Sequence, residues 1–266
     1  MSSDYAETIT AWQHQRRAHL TAEDGWLNVI GRFWLEPGSA SVGADEANDI
    51  VLSAGPTRLG TITQDDTGVS FRPAEADAAP IQFKLDPANP PRVWVGSLLL
   101  EVTSMEGRHA LRVRDRDAPA RVNFAGLSYF PTEPNWRKTA DWVALEQPLR
   151  MEVDTVFGIP STVTVTHKAV FSHDGVAYEL LPTHGTPDKP QFVLRDLTSK
   201  SETYGASRFL YGEKPADGSI VLDFNKAFNP PCAFTVHAVC PLPPPENILP
   251  IRVEAGELRP GAQRPS

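Results

Sequence analysis

Cysteine is scarce in this chain, two residues in 266, which excludes a secreted disulfide scaffold and a cysteine-rich zinc site. No apolar run approaches the ~18 residues of a membrane-spanning helix. The opening Met1-Ser-Ser-Asp-Tyr-Ala-Glu7 lacks the basic-then-apolar character of a secretion signal. The expectation is a cytoplasmic protein with no membrane partner. Positive charge is also in deficit: 25 Lys and Arg face 33 Asp and Glu, for a net charge of −8. That balance argues against a nucleic-acid partner, whose phosphates need a cationic track. The seven histidines make no H-x-H or H-E-x-x-H pattern, and no P-loop, dinucleotide-type glycine loop or G-x-S-x-G elbow occurs. No metal and no cofactor is therefore expected.

Proline is in excess. Its 25 residues are about twice the usual ~5%, which forbids a helical bundle and favours short strands joined by stiff turns. The one clear helix is the first twenty-odd residues. Asp4 and Glu7 make a capping-box pattern, Tyr5, Ile9, Trp12 and Leu20 fall on one stripe, and Arg16, Arg17 and His19 suit the far end of the dipole. From Trp26 the period changes. Extended candidates run from Trp26–Leu35 through Asp49–Leu52, Leu59–Ile62, Gly68–Arg72, Ile81–Leu85, Arg92–Val95 and Leu98–Thr103 to Ala110–Arg114. A second series covers Trp136–Glu146, Leu149–Val156, Ser161–Thr166, Ala169–Ser172, Val176–Leu181, Phe192–Leu197, Arg208–Tyr211 and Ser219–Phe224. His173-Asp-Gly175 reads as a hairpin turn. Strands at such spacing predict a mainly β fold of sandwich or barrel type. The proline-bearing stretch Phe124–Pro134 is the boundary candidate. The expected division is a helix over 1–24, a β-sandwich half over 25–123 and a second β-barrel or sandwich half over 124–266.

Val42-Gly-Ala-Asp-Glu-Ala-Asn-Asp-Ile-Val-Leu52 resembles the strand-turn-strand opening of a forkhead-associated domain. That module clamps phosphothreonine with an arginine after the glycine. Here Ala44 stands there, so the resemblance implies sandwich topology without phosphopeptide binding. Cys232 and Cys240 are eight apart, with Pro230, Pro231 and Pro241 around them and His237 between. That spacing does not match a zinc site. A disulfide across this loop is geometrically open but unexpected in a reducing cytoplasm; buried reduced thiols are the plain reading and a reactive thiol the other alternative. Arg112 and Arg114 would share one face of a strand and converge on one anion, or form a solvated edge with Asp115, Arg116 and Asp117. Asp223 and Asn225 point to one side of an extended segment beside a proline-stiffened loop, which suits either a pocket or a turn that satisfies its own backbone.

Three runs carry a stronger resemblance: Glu202-Thr-Tyr-Gly-Ala-Ser-Arg-Phe-Leu210, Val221-Leu-Asp-Phe-Asn-Lys-Ala-Phe-Asn-Pro-Pro-Cys-Ala-Phe234, and Cys240-Pro-Leu-Pro-Pro-Pro-Glu-Asn247. With Gly25-Trp-Leu27, Asn48–Leu52, Arg114–Arg121 and Ala255-Gly-Glu257 they resemble, over nearly the whole chain, the family called domain of unknown function 1684. The resemblance implies a β-rich fold and a stereotyped polar motif set without an attached reaction. If Arg112, Arg114, Arg121 and Arg208 line a cavity with Asn225 and Asn229, the ligand is a small anion, carboxylate or phosphate. Asp223 and Glu246 are then the proton-transfer candidates and Tyr204 the orienting one. The functions in play are a cofactor-independent hydrolase or isomerase on an anionic metabolite, and a non-catalytic ligand-binding or protein-interaction β module.

Overall fold

The computed structural model describes residues 3–105, 107–156, 158 and 161–262. Its first element is the expected helix, α1 (Ser3–Thr21), with Asp4 in the first turn and His19 in the last, where each charge sign suits the helix dipole. Beyond it the described chain is mainly β. The residues group into two units, Ala18–Ala125 and Met1–Arg17 with Gly126–Ser266.

In the Ala18–Ala125 unit, Trp26–Asn28 form a 3-10 turn where the sequence reads as the start of a strand. The Asn28 side chain donates to the Ala22 carbonyl at 2.8 Å, and such a local bond competes with a sheet ladder. Among the described residues nine strands follow: β1 (Val29–Trp34), β2 (Gly38–Gly43), β3 (Ile50–Val51), β4 (Gly60–Asp65), β5 (Gly68–Pro73), β6 (Ile81–Phe83), β7 (Arg92–Val95), β8 (Leu98–Met105) and β9 (Arg108–Asp115). They make a four-stranded sheet in the order β1-β9-β8-β7 and a five-stranded one in the order β3-β2-β4-β5-β6. The period of two sends Leu98, Leu100, Val102, Leu111 and Val113 to one side, where they pack with Val42, Ile62, Val69 and Phe71 of the other sheet. This is a sandwich.

Strand β2 has one large apolar residue, Val42, in Gly38-Ser-Ala-Ser-Val-Gly43. Polar pairing supplies much of what holds it: Asp49 Oδ2 accepts from the Ser41 amide at 2.8 Å and its hydroxyl at 2.7 Å. The strand ends at Gly43, where a Cβ would stand 2.2 Å from the Thr57 carbonyl oxygen. Backbone cannot rotate away as a side chain does, so Gly43→Ala is expected to destabilise this unit by roughly 1–3 kcal/mol, as overpacking does. Urea unfolding with an unchanged midpoint would contradict that reading.

In the other unit the sequence candidates merge into longer strands. Trp136–Glu146 and Leu149–Val156 become one strand, β10 (Arg137–Val153), and Ser161–Thr166 and Ala169–Ser172 become β11 (Ser161–His173). Their ladder shifts register between Ala144 and Leu149, and Pro148, which has no amide to give, sits in that bulge. The hairpin turn to β12 (Val176–Leu180) has Asp174 and Gly175 at φ 50° and 78°. Then come β13 (His184–Thr186), β14 (Lys189–Leu194), β15 (Arg208–Tyr211) and β16 (Ser219–Asp223). One sheet runs β12-β11-β10-β16 and the other β13-β14-β15, and no closed barrel forms among the described residues. Phe171, Leu180, Leu222 and Phe224 meet Phe192, Leu194 and Leu210 in the core, closed by Leu249, Val253 and Ala255 of the C-terminal segment. Asn247 ties that segment down through both Leu181 backbone groups and the Val193 carbonyl.

Candidate functional site

The stripe on α1 positions a cleft. Tyr5, Ile9, Trp12 and Arg16 are spaced four, three and four apart, so they lie on one face of the helix. Ile9 is buried. The Tyr5 hydroxyl donates to Asp223 Oδ1 at 2.8 Å and accepts from Asn225 Nδ2 at 2.9 Å. Burial, followed by the Asp223 carboxylate, pushes the Tyr5 phenol well up, so it stays protonated and keeps that bond. At the other end Arg16 donates to Glu257 Oε1 at 2.8 Å and to the Asn229 carbonyl at 2.8 Å. Its guanidinium lies 4.7 Å from the Phe228 ring centroid.

Between these two anchors runs Asp223–Asn229. β16 ends at Asp223, a 3-10 turn covers Phe224–Lys226, and Phe228 pairs with Phe209 by two backbone hydrogen bonds of 2.8 and 2.9 Å. The asparagines hold this segment in place. Asn225 accepts from the Glu133 amide and donates to its carbonyl, and Asn229 donates to the Leu258 carbonyl while its amide reaches Glu257 Oε2. What the segment presents outward is Lys226 and Phe228. With Trp12, Tyr211, Lys189 and Lys214 they line a cavity of about 460 Å³. The Phe228 and Tyr211 rings stack at 5.7 Å and 24°. Lys189 Nζ stands 4.4 Å from the Tyr211 centroid, a cation–π distance. Lys226 Nζ is 3.4 Å from Asp223 Oδ2 and Lys214 Nζ 3.1 Å from Asp188 Oδ2. Three ammoniums face the carboxylates of Asp188 and Glu213, so the lining carries one net positive charge in a chain of net −8.

A larger cavity of about 610 Å³ in the same unit has, among the described residues, no charged side chain in its lining. Its polar groups are threonine hydroxyls and imidazoles: Thr166 bonds His167 at 3.0 Å, and Thr183 bonds His184 at 2.9 Å. Burial holds the His184 imidazole below its ordinary range. His167 stacks on Trp142 at 5.1 Å and covers one face of the indole.

The arginines expected to meet an anion have partners within the protein. Arg112 and Arg114 do share a face of β9, and they converge on Glu101 of β8, with Nη1 to Oε2 distances of 2.6 and 2.8 Å. Burial alone would raise Glu101, but Arg112, Arg114 and Arg92 outweigh it and hold the carboxyl below its usual range. Arg121 donates to the Thr21 and Arg116 carbonyls. Arg208 is fully buried, bonded to Asp196 Oδ2 at 2.6 Å and to the Ala255 and Val253 carbonyls. Tyr204 donates to the Cys232 carbonyl at 3.1 Å, and Glu246 is exposed in the turn Pro245–Asn247. Asp223, Asn225 and Asn229 are therefore the expected site residues that the structure gathers along one segment beside the cleft. Sequence reasoning missed Arg16, Glu257, Asp196 and the three lysines. Asp196 had a local signal, the Asp-x-x-Ser capping pattern with Ser199, and Lys226 and Glu257 stood inside the motif runs without a role attached.

The family model described as "Protein of unknown function (DUF1684)" matches residues 122–258, just over half of the chain. The chain belongs to this family. The DUF1684 match holds Asp196, Arg208, Asp223, Asn225, Asn229, Glu246 and Glu257, whereas α1 and the Arg112–Arg114–Glu101 cluster lie outside it. The solution NMR structure of an uncharacterized protein from Haloarcula marismortui is 30% identical over 52% of this chain and 79% of its own, with a TM-score of 0.43. No curated protein matches the chain. Among the described residues no helix is long and apolar enough to cross a membrane.

Proposed function

We propose that the DUF1684 unit binds a small planar anion in the cleft beside α1. The observation that carries this reading is the pairing of an aromatic shelf (Tyr211, Phe228 and Trp12) with three lysines around one cavity of about 460 Å³. A flat apolar body gains from stacking on such rings, and a carboxylate or phosphate gains charge-assisted hydrogen bonds from the ammoniums. The 610 Å³ cavity is roomier, but it offers an anion no cation. Asp223 stands behind Lys226 rather than in the cavity lining, so a hydrolase or isomerase chemistry would need Lys226 to move aside and open the buried Oδ2 of Asp223. That atom accepts no hydrogen bond of good geometry and lies beside Lys226. The anchored Oδ1 would hold the carboxylate in place while Oδ2 took a proton.

Calorimetric titration with 1-naphthoate and with the neutral 1-naphthalenemethanol tests the binding reading. The carboxylate is expected to bind, and a Lys189→Gln/Lys226→Gln variant to weaken it by roughly tenfold or more, the worth of one lost charge-assisted bond. Equal affinity for the alcohol, or an unchanged affinity in the lysine variant, would sink it.

A further inference from the structure

The cleft leaves one chemically distinctive pair unused. Cys232 lies in the 3-10 turn Pro231–Ala233, and Cys240 follows just before Pro241. The Cys232 amide donates to Cys240 Sγ at 3.2 Å, which places that sulfur beside the residue carrying the other thiol. The Tyr204 hydroxyl, donating to the Cys232 carbonyl at 3.1 Å, stands beside the same residue. Cys232 is half-buried and Cys240 buried. We infer that Cys232 and Cys240 form a peroxide-sensitive dithiol in which Cys232 attacks and Cys240 resolves.

The chemistry follows from which thiol is the more acidic and which is the more accessible. The Cys240 S–H bond, opposed by burial and helped by Tyr204, holds the Cys232 thiol below its ordinary range. A thiolate is the nucleophile toward peroxide, and access decides the rest. The Cys232 thiolate attacks one oxygen of hydrogen peroxide. The O–O bond breaks, hydroxide leaves and takes up the thiol proton as water, and Cys232 becomes a sulfenic acid. Cys240 sulfur then attacks Cys232 Sγ, the S–O bond breaks, and a second water leaves with the Cys240 proton. Two thiols and one peroxide give one disulfide and two waters, with two electrons passing from sulfur to oxygen. The prolines at 230, 231 and 241 favour the second step, because they fix the backbone that presents the two sulfurs. No third ligand intrudes: among the described residues no three of His, Cys, Asp and Glu cluster closely enough to hold a metal.

Intact-mass spectrometry of the full-length protein after a stoichiometric dose of hydrogen peroxide is the test. The expected product is a monomer lighter by two hydrogens, resistant to alkylation under denaturing conditions, with the 232 and 240 peptides linked. Cys240→Ser should stop at the first step, gain one oxygen and react with dimedone at Cys232. Cys232→Ser should stay unmodified at the same dose. Tyr204→Phe should shift the pH midpoint of Cys232 alkylation upward, an effect that a merely structural tyrosine would not have. Two alkylatable thiols in the treated wild-type protein would overturn the inference, and so would a disulfide-linked dimer or oxidation of Cys240 in Cys232→Ser. The wild-type mass decides whether the disulfide forms even if a variant fails to fold, and the rates at which the two thiols of the untreated wild type are alkylated decide which sulfur attacks.

Discussion

Arg208→Ala is expected to cost the DUF1684 unit about 3–5 kcal/mol of stability, the usual penalty for removing one partner of a buried ion pair. Both Arg208 and Asp196 side chains are 0% exposed. Removing the guanidinium strands the Asp196 carboxylate in the core and frees the Val253 and Ala255 carbonyls that it also satisfies. Asp196 cannot simply turn to water, because its Oδ1 caps the 3-10 turn Leu197–Lys200 through the Thr198 amide and hydroxyl at 2.7 and 2.6 Å. The loss should therefore spread from β15 to the C-terminal segment packed on it. Urea unfolding followed through Trp136 and Trp142 would show a large fall in midpoint, or a variant already unfolded without urea. A variant with wild-type stability that has lost affinity for 1-naphthoate would instead make Arg208 a ligand-binding arginine, as its place in the motif set suggests.

How far the sequence reveals such roles depends on the distance over which each residue acts. The β14 and β15 strands, the His173–Gly175 hairpin and the α1 stripe are written in local periods and turn residues, and all are readable. The merging of two candidates into β10 was hidden because Pro148 looks like a terminator, and only the ladder with β11 shows it to be a bulge. β2 is hidden because Val42 is its one large apolar residue, and Asp49 and strand pairing supply much of what holds it. The charged residues are the least legible of all. Arg112 and Arg114 share a face as expected, but nothing in the local sequence says that Glu101, across the ladder, takes the place of an external anion. Tyr5 and Asp223 are 218 positions apart, and Arg16 reads as a dipole complement until Glu257 is seen beside it. Motif membership marks Asp223, Asn225 and Asn229 without separating a ligand contact from a backbone clamp, and the asparagines turn out to be clamps.

Arg16→Ala is expected to make the stability of this unit depend steeply on pH. Glu257 is fully buried, and burial pushes its carboxyl above the usual range. Arg16, the Asn229 amide and Arg208 pull it only part of the way back. A carboxyl whose folded pKa is raised contributes its full stability below the ordinary carboxylate range and loses it as pH rises through the folded value. Without Arg16 the nearest counter-charge is gone, so the folded value climbs further and the window widens towards neutral pH. Across that window the folded state holds a proton that the unfolded chain releases. Each pH unit then costs the variant about 1.4 kcal/mol. At neutral pH the variant should be destabilised by roughly 3 kcal/mol or more, as for other uncompensated buried charges, and acidification to about pH 5 should recover much of that loss. Arg16→Ala/Glu257→Gln separates the charge from the packing of the guanidinium on Phe228. The double variant should lose the slope and keep only the smaller, pH-independent cost of lost contacts. Urea midpoints across that pH range decide it: equal slopes for wild type and Arg16→Ala would mean that Arg16 does not hold the Glu257 charge.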